Sequence, residues 1–474
     1  MLMIFFAFSI IISLLTFLLK HKTLTNILPK LFLSAHIAVS FWALFKINQF
    51  DSIYYKFDAL SVLLSFVLSI LSVTTFYHSY LYLKRHKVSV EQESNYYAAL
   101  MMLITAMTSA YFAENIAVLW ISVEATTLLV SILIFYEHTE EALEATWKYL
   151  FICSVGIAFA FIGILFLSMT AGNNGITSLS SSKLIAVAPL MNPLWLKITF
   201  LLVLTGFSAK MGLFPLHTVA VDAHTVAPPP ISAFISTTLM NVGFLAIFRI
   251  FTIVAQTEII HWVQNVLLIV GVLSIFMATI QLQRVNHFKR MFAFSSLEHM
   301  GIVALGLGAG GLGYYAAILH LIFHAFTKAS LFYQIGQVYQ FFKSYWIKDV
   351  SGYFKLNPIG GLSVLLCFVS ILAVPPSGLF VSEFLIFKAL FVNEHPIVAV
   401  VVLALLSVII YTILKNILHL LFDDVPTGLK VDALKVNPYE TISQFVLLSL
   451  VIYLGINPPI FFTDLINEAI SVLN

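Results

Sequence analysis

The sequence predicts an all-α polytopic membrane protein of about fourteen transmembrane helices, with two inverted five-helix repeats that each hold a broken helix. Three observations lead there. The chain is 60% hydrophobic and 10% charged, with a mean hydropathy of +0.99. A soluble protein of 474 residues does not need so much apolar surface. The apolar residues form long continuous runs, unlike the short alternating strands of a membrane barrel. Two of the runs are interrupted by proline, one around Gly212 and Pro215, the other around Pro375 and Pro376.

Composition also excludes several classes. A net charge of +2 spread over many loops forms no basic face, so no nucleic-acid partner is expected. Cys153 and Cys367 stand alone in apolar runs, with no CxxC, haem or iron–sulfur spacing. The chain is therefore expected to carry no electrons, no cofactor and no resident metal. There is no Walker loop, no dinucleotide-binding glycine motif and no nucleophile triad. The glycine-rich Gly306 to Gly313 falls on a short turn between two spans, where nothing supports phosphate binding.

About 20 apolar residues cross a bilayer. Runs of that kind cover 1–19, 29–47, 57–83, 97–113, 115–136, 147–170, 195–216, 230–254, 262–283, 291–309, 312–341, 358–391, 395–421 and 441–461. The first has its positive charges, Lys20 and Lys22, after it, which reads as a transmembrane helix and not a cleaved signal. Residues 171–192, rich in Gly, Asn and Ser, read as a surface loop. Glu137 to Lys148 reads as an interfacial or short cytoplasmic helix.

Loop charge sets orientation. Alternate loops hold Lys20, Lys22 and Lys30; Lys84, Arg85 and Lys87; Arg284, Lys289 and Arg290; Lys343, Lys348 and Lys355; and Lys430 and Lys435. The other set holds little beyond Lys46, Lys56 and Lys183. The first set is assigned to the cytoplasm, which places both termini outside. The proline-broken runs lie an odd number of spans apart, so they point in opposite directions. The expected organisation is residues 1–96 as the first three helices, 97–254 and 262–421 as the inverted repeats, and 441–461 as a last helix. The breaks fall near 210–216 and 374–383, with Gly212, Pro215, Pro375 and Pro376 as hinges.

Ionisable residues inside such runs are the informative ones, because each costs a few kcal/mol at bilayer depth unless paired or hydrated. Glu124 lies mid-span in Trp120 to Leu128, and Lys210 sits just before the first break. His320, His324 and Lys328 are spaced i, i+4, i+8, on one helix face about 12 Å long. Glu298 and His299 form a mid-membrane polar pair, and Glu383 follows the second break. Burial penalises the charged form and an opposite charge restores it, so such groups can change protonation as their partners move. The pattern points to a proton relay. The alternative for Glu124 and Lys210 is a packing pair that joins two helices, but five groups on four spans exceed what one pair needs. His320 and His324 have the spacing of a metal pair without an evident third ligand, and core histidines are the other alternative. For Asp222 and His224, capping before Pro228 is the alternative to a role at the cytoplasmic mouth.

Taken together, Gly206 to Thr218, Asp222-Ala-His224 and Ala227-Pro228 resemble the antiporter-like subunits of complex I, Mrp antiporters and membrane-bound hydrogenases. Trp120 to Glu124, Ser295 to Gly301, His320 to Phe332 and Gly378 to Phe384 follow in the same order, so the resemblance covers nearly the whole chain. It implies proton (or sodium) translocation within a multi-subunit complex, with other membrane and peripheral subunits as partners in a bacterial or archaeal cytoplasmic membrane. By position it implies Glu124 and Lys210 as an interacting pair, His320, His324 and Lys328 as connecting groups, and Glu383 as an outlet residue. Asn241 stands where many relatives carry a second lysine. Asn241, Glu298 before His299 and Glu144 to Tyr149 resemble the hydrogenase-4 F-type subunit, or the formate hydrogenlyase type. The alternatives are the M-type membrane subunit of an NADH-quinone oxidoreductase and the D-type subunit of an Mrp cation/proton antiporter. The chain stops soon after the last run, so the long lateral helix of the largest complex I subunit is not expected. Val219-Ala220-Val221 departs from the family's usual Trp-Leu-Pro.

Overall fold

Each long apolar run has one low-energy conformation in hydrocarbon, a helix that satisfies its own backbone. The computed structural model describes residues 1–426 and 436–473. Lys430 and Lys435, part of the loop-charge pattern, lie outside the described residues. The main helices are α1 (Leu2–Leu19), α2 (Lys22–Leu44), α3 (Ala59–His86), α4 (Val90–Phe112), α5 (Ile116–Ile134), α6 (Glu140–Gly172), α7 (Pro193–Met211) and α8 (Thr218–Val226). They continue as α9 (Pro229–Val254), α10 (Ile260–Leu282), α11 (Phe288–Ala309), α12 (Leu312–Phe342), α13 (Pro358–Ile371), α14 (Gly378–Val392), α15 (Pro396–Phe422), α16 (Ile442–Ile456) and α17 (Ile460–Ile470). Among the described residues there is no named strand, only isolated bridges.

Twelve helices among the described residues are long and apolar enough to cross a bilayer. The remaining expected spans are α4 and the broken pair α13–α14. Glu91, Gln92 and Glu93 dilute the start of α4, and each half of the broken pair is short. The protein is thus an all-α, multi-pass membrane protein, and fourteen is an approximate span count.

Polar residues set the helix starts. Ser89 and Gln92 close a capping box at α4, Asn192 accepts from the Leu194 and Trp195 amides ahead of Pro193, and Ser377 caps α14. Three expectations change. Residues 171–192 are not a plain loop, because Ser181–Val187 form a short helix. Ser180 Oγ and the Ser182 amide both donate to Glu114, at 2.7 and 2.8 Å, which fixes that segment. The acidic segment before the sixth run is no separate helix, because Thr139 caps Ala142 and α6 runs unbroken from Glu140. The last run ends at Ile456, and α17 follows it.

Both expected breaks are present. α7 ends at Met211, and Gly212 follows with φ 75°, a left-handed conformation that favours glycine. α13 ends at Ile371, and α14 begins at Gly378. The Phe214–Pro215 and Pro375–Pro376 bonds are cis.

The chain forms two compact units. The first comprises residues 1–231, 238–263 and the C-terminal residues from Asp464. In it α6 packs along α7, α4 along α5, and the later part of α9 against α7. Gly243 is required there, since a Cβ at that position would lie 2.5 Å from the Met211 nitrogen and 2.8 Å from the Lys210 carbonyl carbon. The second unit comprises residues 232–237 and 264–463. Its centre is α12, which packs against α11, α13, α14 and α16.

Inside α9, residues Ile235–Leu239 widen into a π-helical turn. Such a turn frees backbone groups, and the Tyr111 hydroxyl donates to the Thr238 carbonyl at 2.9 Å. Ser232–Thr237 belong to the second unit and the rest of the helix to Val254 to the first.

Candidate functional site

In the first unit, the last turn of α7 buries Lys210, which is 3% exposed. Its ammonium donates to the Tyr149 hydroxyl of α6 at 2.8 Å and lies 5.0 Å from the centre of the same ring. Glu124, on α5, accepts from Thr127 Oγ1 at 3.2 Å. Glu124 and Lys210 do not form the direct ion pair the sequence suggests. Tyr149 makes the side-chain contact to the ammonium instead. Tyr149 is the residue that sequence reasoning missed. Its only sequence signal was its place at the end of the Glu144 to Tyr149 stretch.

α8, which carries Asp222 and His224, packs against α6 and against α5. His224 is fully buried and Asp222 partly exposed. Asn241 lies two residues past the π-helical turn. It is fully buried, and neither atom of its amide has a hydrogen-bond partner. A buried amide left unpaired costs about 1–3 kcal/mol. That cost makes Asn241 an unusual place for a purely structural residue.

In the second unit, helices α11, α12 and α14 supply the polar groups. His299 Nδ1 lies 3.0 Å from His320 Nε2, and His320 Nδ1 lies 3.0 Å from Ser382 Oγ. Glu383 Oε1 is 3.9 Å from His299 Nδ1. The His299 and His324 rings are 5.2 Å apart. Lys328 donates to the Phe292 carbonyl at 2.9 Å, an oxygen that also accepts from Ser296 Oγ at 3.2 Å. One oxygen of Glu298 has no hydrogen-bond partner. Ser296 in turn meets Ser236 at 2.7 Å between hydroxyl oxygens. Glu298, His299, His320, His324 and Lys328 are all buried, and Glu383 is 13% exposed.

The structure therefore brings together Glu298, His299, His320, His324, Lys328 and Glu383 in one unit, and Glu124, Lys210 and Tyr149 in the other. The fold assembles a candidate metal-ligand trio different from the His320–His324 pair of the linear pattern. His299, His320 and Glu383 place ligand atoms within 4.8 Å of one another, and His324 is not among them.

A polar cavity of about 210 Å³ in the first unit was also missed. Its lining includes Asp58, Glu114, Arg249 and Glu468. Arg249 donates to Asp58 and, at 2.7 Å, to Ser61 Oγ. Burial works to raise the Asp58 carboxyl, but the Arg249 guanidinium and the hydrogen bonds from Arg249 and Ser61 outweigh it and hold the group below the usual carboxylate range.

Residues 113–409 match the family described as NADH:quinone oxidoreductase/Mrp antiporter, TM. The Hydrogenase-4 component F homolog of Methylacidiphilum infernorum (isolate V4) is 31% identical over 385 residues, which is 79% of this chain and 80% of that protein. The Na(+)/H(+) antiporter subunit A1 of Staphylococcus aureus (strain JH9) is 26% identical over 447 residues. That match covers 88% of this chain but 54% of the relative, so the chain spans about half of its length. A chain in the structure of the membrane-bound sulfane sulfur reductase, an archaeal respiratory membrane complex, shares the fold with a TM-score of 0.87 and 22% identity. The overlay covers 100% of this chain and 97% of that one.

Proposed function

Because the chain belongs to the NADH:quinone oxidoreductase/Mrp antiporter transmembrane family, we propose that it is a proton-translocating, antiporter-like membrane subunit of a complex-I-like respiratory enzyme of hydrogenase-4 or formate hydrogenlyase type. The observation that carries the proposal is the pair of buried ionisable clusters. An isolated buried charge is costly, and a structural role needs one compensated pair, not nine titratable groups on six helices, seven of them buried and Glu124 and Glu383 partly exposed.

In the first cluster Glu124 is the charge that biases Lys210, and Tyr149 holds the ammonium in place. Asp222 and His224 serve the cytoplasmic mouth, and the orphaned Asn241 amide is a point of internal hydration. In the second cluster Lys328 takes a proton under the influence of Glu298. His324, His299 and His320 pass it to Glu383. Each imidazole offers one donor and one acceptor nitrogen, so a chain of rings can hand a proton along by exchanging tautomers. Gly212, Pro215, Pro375 and Pro376 let the half-helices beside each cluster move, and 97–254 and 262–421 are the inverted repeats. The redox centres lie on partner subunits. Sodium in place of protons is the variant of this reading to be tested in the same vesicles.

The loop charges support an orientation with both termini outside a bacterial or archaeal cytoplasmic membrane. Single cysteines at Lys87 and Asn173 test this with an impermeant thiol reagent on intact cells. Labelling at Asn173 and not at Lys87 is expected, and the reverse overturns the orientation.

A second reading is a subunit of an Mrp-type cation/proton antiporter, favoured by the 26% identity to the Na(+)/H(+) antiporter subunit A1. Purification of the native complex separates the two. Copurification with nickel–iron hydrogenase subunits supports the first, and copurification with small antiporter subunits supports the second.

A further inference from the structure

We propose that His299, His320 and Glu383 form a binding site for a divalent transition-metal ion of the zinc type, at which the metal competes with the translocated proton. The site stands on geometry, and its effect on flux rests on the relay proposed above.

The three ligands come from three different helices of one unit, α11, α12 and α14, so the fold and not a local motif builds the site. Their ligand atoms lie within 4.8 Å of one another, with 3.0 Å between the two imidazole nitrogens and 3.9 Å from His299 Nδ1 to Glu383 Oε1. A tetrahedral ion with bonds of about 2.0–2.2 Å sets its ligands about 3.3–3.6 Å apart. The observed spacings of 3.0 and 3.9 Å bracket that value.

The tautomer is prepared as well. Ser382 Oγ donates to the Leu379 carbonyl at 3.0 Å, so it accepts from His320 Nδ1. His320 Nε2 is then the lone pair that faces His299. A ring nitrogen held by such a hydrogen bond, with the other nitrogen free to ligate, is the usual arrangement of a metal-bound histidine. Two neutral imidazoles and one carboxylate carry a single negative charge, which suits a dication in a buried setting. Two nitrogens and one oxygen select zinc, cobalt or nickel over magnesium or calcium, which prefer all-oxygen shells. Three protein ligands leave the fourth position of a tetrahedral ion to water or another donor. Protons compete at all three ligands, so affinity rises with pH.

The test uses the purified complex that contains the full chain, stripped of metal by a chelator. Zinc affinity is measured by competition with a chromophoric chelator, and cobalt(II) absorption reports the geometry. The expected result is one ion more per chain than in His320→Gln or Glu383→Gln, a tetrahedral cobalt spectrum, and tighter binding at pH about 8 than at pH about 6. His419→Gln, which removes an exposed His–Asp pair, leaves the count unchanged. Ser382→Ala retains all three ligands and weakens binding about 10–100-fold. It also serves as the decisive variant if the ligand substitutions fail to assemble. Equal affinity in wild type, His320→Gln, Glu383→Gln and Ser382→Ala, or an octahedral cobalt spectrum, overturns the site. Zinc that binds with these properties but does not slow proton flux upholds the site and rejects the relay instead.

Discussion

Lys210 is buried with one direct side-chain partner, the hydroxyl of Tyr149. Tyr149→Phe removes that oxygen and keeps the ring that the ammonium faces at 5.0 Å. A hydrogen bond to a charged group contributes about 1.5–3 kcal/mol, and the remaining cation–π contact contributes about 0.5–2 kcal/mol. The substitution should therefore cost about 1.5–3 kcal/mol while Lys210 is present. In a Lys210→Met background there is no ammonium to strand, and the same change should cost well under 1 kcal/mol. The coupling energy of the double-mutant cycle is the difference, of order 1.5–2.5 kcal/mol. It is measured by denaturant unfolding of the chain in mixed micelles, with assembly into the complex as a parallel readout. Proton flux should fall in Tyr149→Phe as well, because the ammonium then lacks the group that holds it opposite the field of Glu124. Losses that simply add, with Tyr149→Phe costing as much beside Met as beside Lys210, would refute the idea that the hydroxyl holds the ammonium.

Three further expectations follow from the same geometry. Gly243→Ala drives a methyl into the Lys210–Met211 backbone and should cost about 1–3 kcal/mol in thermal unfolding, whereas Gly172→Ala, with open space around it, should be near neutral. Asp58→Asn leaves Arg249 without its carboxylate and should cost about 1.5–3 kcal/mol at neutral pH. Because the folded Asp58 pKa lies below its unfolded value near 3.9, the wild-type advantage is complete above that pH and disappears as pH falls through the folded value; an advantage that grows in acid would contradict the ion pair. His324→Leu and Lys328→Met should each stop proton translocation while the complex still assembles, and wild-type flux in both would reject the relay along α12.

Much of the fold was legible because hydrocarbon leaves a chain few options. Long apolar runs must be helices, and the Gly212–Pro215 and Pro375–Pro376 stretches mark the breaks that end α7 and α13, whereas Pro29 is carried inside α2 without a break. Buried charges are costly enough to stand out, so Lys210, Lys328 and Glu383 could be named directly. What escaped was contact across helices. Periodicity shows that His320, His324 and Lys328 share a face, but not that His320 turns to His299 and Ser382. Tyr149 is an ordinary residue near a helix start until α6 packs on α7 and brings its hydroxyl to the lysine. The π-helical turn at Ile235–Leu239 has no sequence marker, and the Tyr111 hydroxyl that takes up its Thr238 carbonyl comes from a distant helix. The helix at Ser181–Val187 was missed because its anchor, Glu114, lies far away in the sequence.

Proton translocation through these clusters is tested most directly by reconstituting the native complex in sealed vesicles and following lumenal pH during turnover. The variants to compare are Lys210→Met and the Glu124→Gln/Lys210→Met double substitution. Both should assemble with redox activity retained and show no pH change, because the ammonium that switches in the first cluster is gone. A wild-type pH change in the double variant would show that these buried charges are structural and that the protons take another route.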